Sequence, residues 1–283
     1  MKNEWPLLVF TLLAEAGVGV FLVSRIVFIR RNKTGKPDSL LKASLLTGFA
    51  LVLGAAFFSL FHLGRPERAY LAVLHILNSG LSREIFWMMW VLAGMGFLLL
   101  LSPVMRRRPK LRNFVTAATW AGGIMLIWNM ARLYMLPTVP VWNTPATLVS
   151  FFLTAFILGG VLFLNLTLSK ADPGVSLIFD SAGGVFALII LQAGLFSLWG
   201  PGWGLFAPAG PPPPWSLLDP AAAVRIASLL AGAFLLLRLR RFLREQQSRR
   251  SARWTAAAAS FFILLGETAG RWIFYASFSR LGL

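Results

Sequence analysis

Eight apolar stretches, each long enough to cross the roughly 30 Å of bilayer hydrocarbon as a helix, constrain this chain more than any other feature. They lie near residues 5 to 29, 40 to 61, 84 to 102, 113 to 135, 146 to 169, 175 to 198, 221 to 237 and 254 to 278. Hydrophobic side chains make up 57% of the 283 residues and charged ones 13%. A water-soluble domain carries about a quarter charged residues, so this composition excludes one. The expected fold is all-α: a polytopic membrane protein with eight transmembrane helices, forming a single transmembrane helical domain over residues 1–283. The blocks are too long for the short alternating strands of a membrane barrel. The first stretch exceeds a signal-peptide core and has no small-residue cleavage pattern after it, so it is expected to stay in the protein.

A formal net charge of +17 raises the question of nucleic acid, but the basic residues arrive in bursts between apolar spans and read as topology signals. No nucleic-acid partner is expected. The loops after spans 1, 3, 5 and 7 hold eighteen Lys and Arg, including Arg106 to Arg108 and Arg238 to Arg253, against five on the other side. Positive loops stay cytoplasmic, so both termini and the loops after spans 2, 4 and 6 are expected outside. Nine of the eleven tryptophans fall on that outer half. The loop from Gly200 to Asp219 also lies there, with a stiff Pro211 to Pro214 run. Glycine pairs at 122–123, 159–160 and 183–184 read as places of close helix packing.

The protein contains no cysteine and two histidines, His62 and His75. Without thiols it has no disulfide and no usual ligand set for an iron–sulfur cluster. Two histidines only 13 positions apart in one short segment are also a poor pair of axial haem ligands. No haem, no iron–sulfur cluster and no metal site are expected in this chain.

Charged groups inside hydrocarbon are costly enough to mark candidate function. Glu15, Glu267 and Arg271 fall inside spans, Arg132 near the end of one, and Arg225 opens another. Glu267 and Arg271 are four apart with the acid first, the favourable order for an ion pair along one helix. Such a pair can equally do no more than fix helix register. Span 2 ends at Phe61-His62-Leu-Gly-Arg-Pro66 and is followed by a short interfacial helix over 66 to 77. Span 3 begins at Ser82-Arg83-Glu84, with Ser82 as its cap. This path returns Glu84 to the membrane depth of His62. An imidazole and a half-buried carboxyl at the outer interface can accept protons from a bound hydroxylated ring such as a quinol. A first-turn glutamate is also an ordinary response to the helix dipole, and the residues alone leave the two readings level.

Four segments occur in order: His62-Leu-Gly-Arg-Pro-Glu-Arg-Ala69, Leu81-Ser-Arg-Glu-Ile85, Arg132-Leu-Tyr-Met-Leu-Pro-Thr138 through Trp142-Asn143, and Gly266-Glu-Thr-Ala-Gly-Arg271. Together they resemble the membrane anchor subunit of dimethyl sulfoxide reductase, the DmsC family. The resemblance implies a menaquinol site near the outer face of a bacterial or archaeal cytoplasmic (inner) membrane. It further implies two partners outside the membrane: an iron–sulfur electron-transfer subunit and a molybdopterin catalytic subunit. His62 and Glu84 match the family's quinol-linked His and Glu, Arg68 matches a nearby arginine, and Tyr134, Asn143, Glu267 and Arg271 match motif positions. A polysulfide-reductase-type anchor shares the same broad plan. A secondary transporter built on Glu15, Glu267 and Arg271 is a third possibility. The absence of an internal repeat and of proline inside the spans counts against it.

Overall fold

The computed structural model describes residues 5–30, 38–61, 79–169, 175–199, 220–245 and 248–278. Among them the chain is all helical: α1 (Trp5–Arg30), α2 (Asp38–Ser59), α3 (Gly80–Leu100), the short α4 (Ser102–Arg107), α5 (Pro109–Tyr134), α6 (Pro145–Ser169), α7 (Val175–Trp199), α8 (Pro220–Arg244) and α9 (Arg249–Ala276). Each of the eight expected stretches coincides with one long helix. Proline opens α5, α6 and α8, where its missing N–H would have had no helical partner anyway.

Six of these helices are long and apolar enough to cross a membrane: α1, α2, α3, α5, α6 and α8. Among the described residues α7 contributes a shorter apolar helix, Asp180–Leu195. Its counterpart in α9 is diluted by alanines and by Glu267 and Arg271. Large apolar side chains stand fully open on the flanks, among them Leu100 at 82% and Phe114 at 71% exposure. Such a surface is costly in water and ordinary in lipid.

Helices in lipid gain little from hiding leucines from one another, so association depends on close backbone approach and interhelical polar contacts. The central pair, α1 and α6, shows both. Two thirds of each apolar window is buried. Gly19 of α1 faces Gly159 and the carbonyl of Ala155 on α6 so closely that a Cβ on either glycine would overlap the opposite backbone. On its other flank, Gly17 packs against the Gly48 carbonyl of α2. Around this axis lie two cores. One joins α1 to α2, α3 and α5 through Val52, Met95, Leu126 and Met130. The other joins α1 and α6 to α7, α8 and α9 through Ile157, Ile178, Leu236 and Ile263. Five of the six paired glycines meet a neighbouring helix as expected, whereas Gly184 faces open space.

Contacts define the two ends of the bundle. At one end Trp5 packs on Phe58 and Phe61, Gly80 meets Leu133, and Trp142 stacks on Phe274. At the other end Arg253 donates through Nε to the Leu168 carbonyl (3.0 Å) and closes the last turn of α6.

Candidate functional site

Helix α3 starts earlier than the sequence suggested. Ser79, not Ser82, is the N-cap: its hydroxyl accepts the backbone N–H of Ser82 at 3.4 Å, and Gly80 is the first helical residue. A serine accepts the N–H two or three positions on, so the Ser-x-x-Ser spacing suits Ser79 better. The shift leaves Glu84 in the second turn, beside the C-terminal end of α5. Glu84 is 4% exposed and within electrostatic reach of the Tyr134 hydroxyl. Among the described residues it has no hydrogen-bond or salt-bridge partner. His62, Arg68 and the short helix expected over 66 to 77 lie outside the described residues, as does the Pro211 to Pro214 run. Phe61, the described neighbour of His62, lies at the Glu84 end of the bundle, its ring 6.5 Å from that of Trp5.

A second buried polar group crosses the seam between the two cores, and it corrects the expected pairing of Glu267 with Arg271. The guanidinium of Arg271 instead reaches across to α1, where its Nη2 donates to both oxygens of Glu15, at 2.6 Å to Oε2. Its Cζ lies 3.8 Å from the centroid of the Phe151 ring. Spacing along one helix allows an i,i+4 pair, but the close approach of α1 offers Arg271 a carboxylate with two free oxygens. Glu267 turns towards α6 and α7: its Oε2 accepts from Thr154 Oγ1 (2.6 Å) and from Gln192 Nε2 (3.2 Å).

Tyr134 and Tyr275 join these groups, their hydroxyls 3.2 Å apart, and the Tyr275 hydroxyl also bonds Thr11 of α1 (3.3 Å). Tyr134, Trp142, Phe151, Phe274 and Tyr275 form one aromatic wall with ring centroids 5.2 to 5.7 Å apart. Trp142 is thus a buried structural residue rather than part of an interfacial belt. Its indole N–H donates to the Phe274 carbonyl (2.8 Å) and to Ser277 Oγ (2.9 Å), adding a donor to a carbonyl that the Ser277 N–H reaches only at 3.3 Å at the end of α9. Because Ser277 Oγ also donates to that carbonyl (2.6 Å), Trp142→Phe should cost only about 1 kcal/mol. Hydrogen exchange should show faster opening confined to the last turn of α9.

Of the remaining candidates, Asn143 is exposed, its backbone held in a turn after α5 by Val139 and Pro140. Glu267 and Arg271 border a cavity of about 100 Å³ beside Thr154, Gln192 and Arg225, which Glu84 and Tyr134 do not line. The sequence motifs therefore separate into two places that meet at Tyr134: Glu84 beside it, and Glu267 with Arg271 at the cavity. Sequence reasoning missed Thr154, Gln192, Thr11 and Tyr275. Gln192 alone gave a signal, as an amide inside an otherwise apolar run.

The family model for the DMSO reductase anchor subunit (DmsC) matches residues 1–198. The chain belongs to the DmsC family. It is 31% identical over 193 residues to the C chain of the anaerobic dimethyl sulfoxide reductase of Escherichia coli (strain K12), covering 66% of each protein. To the YnfH chain of an anaerobic dimethyl sulfoxide reductase of the same strain it is 30% identical over 161 residues, 56% of each. The Haemophilus influenzae protein that bears the same description as the first is 32% identical over 169 residues, 59% of this chain and 58% of that one. Each likeness spans less than two thirds of the relative's own length. No solved structure matches the chain. With six apolar helices and this family, the protein is a multi-pass membrane protein. The DmsC match takes in Glu84, Tyr134 and Gln192 but stops short of α8 and α9, which carry Arg225, Glu267 and Arg271.

Proposed function

We propose that this chain is the quinol-oxidising membrane anchor of a molybdopterin oxidoreductase of the dimethyl sulfoxide reductase type. The observation that carries this reading is Glu84, a buried carboxyl without a partner among the described residues, at the bundle end opposite the Arg253–Leu168 contact. A menaquinol has two hydroxyl protons and two electrons to give up. Glu84 takes one proton and His62 the other, while Arg68 holds the ring or tunes the two acceptors. The chain has no cysteine with which to hold a cluster, so the electrons leave through an iron–sulfur subunit to a molybdopterin catalytic subunit outside the membrane. Eight spans, with both termini outside the cytoplasm of a bacterial or archaeal cell, put proton release on the outer side of the inner membrane. The uneven distribution of basic residues supports that orientation.

Glu84→Gln keeps the side-chain volume and removes the proton acceptor. A positioned base contributes about 10²- to 10⁴-fold to a proton-transfer step, so quinol oxidation by the assembled complex should fall at least about 100-fold. Electrons delivered to the partner subunits by a reduced viologen should still reach the catalytic subunit at the normal rate. A quinol rate unchanged by this substitution refutes the assignment.

A further inference from the structure

The cavity beside Glu267 has a chemical demand that the protein itself leaves unmet. Glu267 and Gln192 both line it and are 2% and 3% exposed. Each presents one buried oxygen, Glu267 Oε1 and Gln192 Oε1, with no hydrogen-bond donor among the described residues. An orphaned acceptor costs about 1 to 3 kcal/mol, and two on adjacent, mutually bonded side chains mark a place for a donor from elsewhere. The other walls combine apolar side chains, Leu153, Leu195, Ile273 and Phe274, with the hydroxyl residues Thr147 and Ser150.

Charge narrows the ligand class. Arg225, Arg271 and Glu267 line the cavity together and Arg271 is already bound to Glu15, so side chains of both signs meet there and neither an anion nor a cation is favoured over a neutral molecule. The volume, about 100 Å³, is several times the roughly 10–15 Å³ that one water requires. A neutral ligand with hydroxyl donors on a flat apolar body meets all three conditions.

We propose that this cavity binds the ring of a hydroquinone, its hydroxyl donating to Glu267 Oε1 and Gln192 Oε1, at a site separate from Glu84. The ligand class rests on the quinol reading given above; the location does not. Neither Glu84 nor Tyr134 lines this cavity, so substitutions can be aimed at each place separately.

The test is anaerobic titration of the full chain in lipid nanodiscs with 1,4-dihydroxynaphthalene, with 1,4-dimethoxynaphthalene as the analogue that has no donor. Two binding events per chain are expected for the dihydroxy compound. In Glu267→Gln the amide oxygen can keep the bonds to Thr154 and Gln192 while its NH₂ turns into the cavity, converting an acceptor to a donor. That change should weaken one event by about tenfold or more, equivalent to about 1.4 kcal/mol. Ala146→Phe, which adds a ring to the cavity wall and leaves Glu267 and Gln192 in place, should abolish the same event and serves if Glu267→Gln fails to fold. Glu84→Gln should affect only the other event. An event lost in Glu84→Gln but unaltered in both cavity variants overturns this site and spares the quinol reading. The reverse pattern spares the site and removes Glu84 from quinol binding. Equal binding of the dimethoxy analogue at the cavity, or no binding at all, leaves water as its occupant and overturns the proposal.

Discussion

Arg271→Met should lower the unfolding temperature of the bundle markedly. It leaves Glu15, 0% exposed, facing an apolar side chain. Removing one partner of a buried ion pair costs about 3–5 kcal/mol, because the remaining charge stays buried without compensation. The converse change should be milder. In Glu15→Gln the cation keeps the faces of Phe151 and Phe274, at 3.8 and 5.9 Å from its Cζ, and the nearby charge of Glu267. A loss of about 1 to 2 kcal/mol is expected there. The double variant Glu15→Gln with Arg271→Met should be more stable than Arg271→Met alone, since replacing a whole buried pair is often nearly neutral. Thermal unfolding in detergent, followed by near-UV circular dichroism, measures all three. Additive losses in the double variant would show that the two residues are not coupled.

Replacement of Gly19 by leucine should prevent folding, and replacement of Gly184 by leucine should not. Both changes raise intrinsic helix propensity by nearly 1 kcal/mol, so propensity alone predicts two stabilised variants. Packing reverses the sign at Gly19. The new side chain would collide with the Ala155 carbonyl and the Gly159 backbone, which cannot swing aside as a flexible side chain can. Overpacking of this kind costs about 3 kcal/mol or more, and it separates α1 from α6 at the axis shared by both cores. At Gly184 a Cβ meets nothing within 4 Å. The yield of monodisperse protein on size exclusion separates the outcomes. Equal yields would mean that the α1–α6 contact does not hold the bundle together.

The chain's own pattern accounts for the helices with little help from packing. Apolar length forces helix because backbone N–H and C=O groups in lipid must pair within their own segment. Pro109, Pro145 and Pro220 mark starts because proline lacks the donor that a first turn leaves unused. Glu84 stood out for the same local reason: a carboxyl at the mouth of an apolar span is conspicuous in one dimension. The partner of Arg271 was not legible. Glu15 is 256 positions away, while Glu267 offered the correct spacing on the same helix. Linear distance ranks the nearer acid first, whereas the folded protein ranks acids by the geometry that α1 and α9 impose.

From the sequence alone came the helical class, the approximate bounds of the long helices, the gathering of basic residues between alternate spans, and the absence of any thiol with which to hold an electron carrier. These depend on local composition and on the bilayer as solvent, and both act along the chain. Tertiary structure alone decided that α1 and α6 form the axis, that Glu15 neutralises Arg271, that Trp142 closes the end of α9, and that Glu267 borders a cavity apart from Glu84. Each of those depends on which helix faces meet. In lipid that choice is made by backbone approach at a few glycines and by pairing of scarce polar groups, neither of which leaves a periodic trace in the sequence.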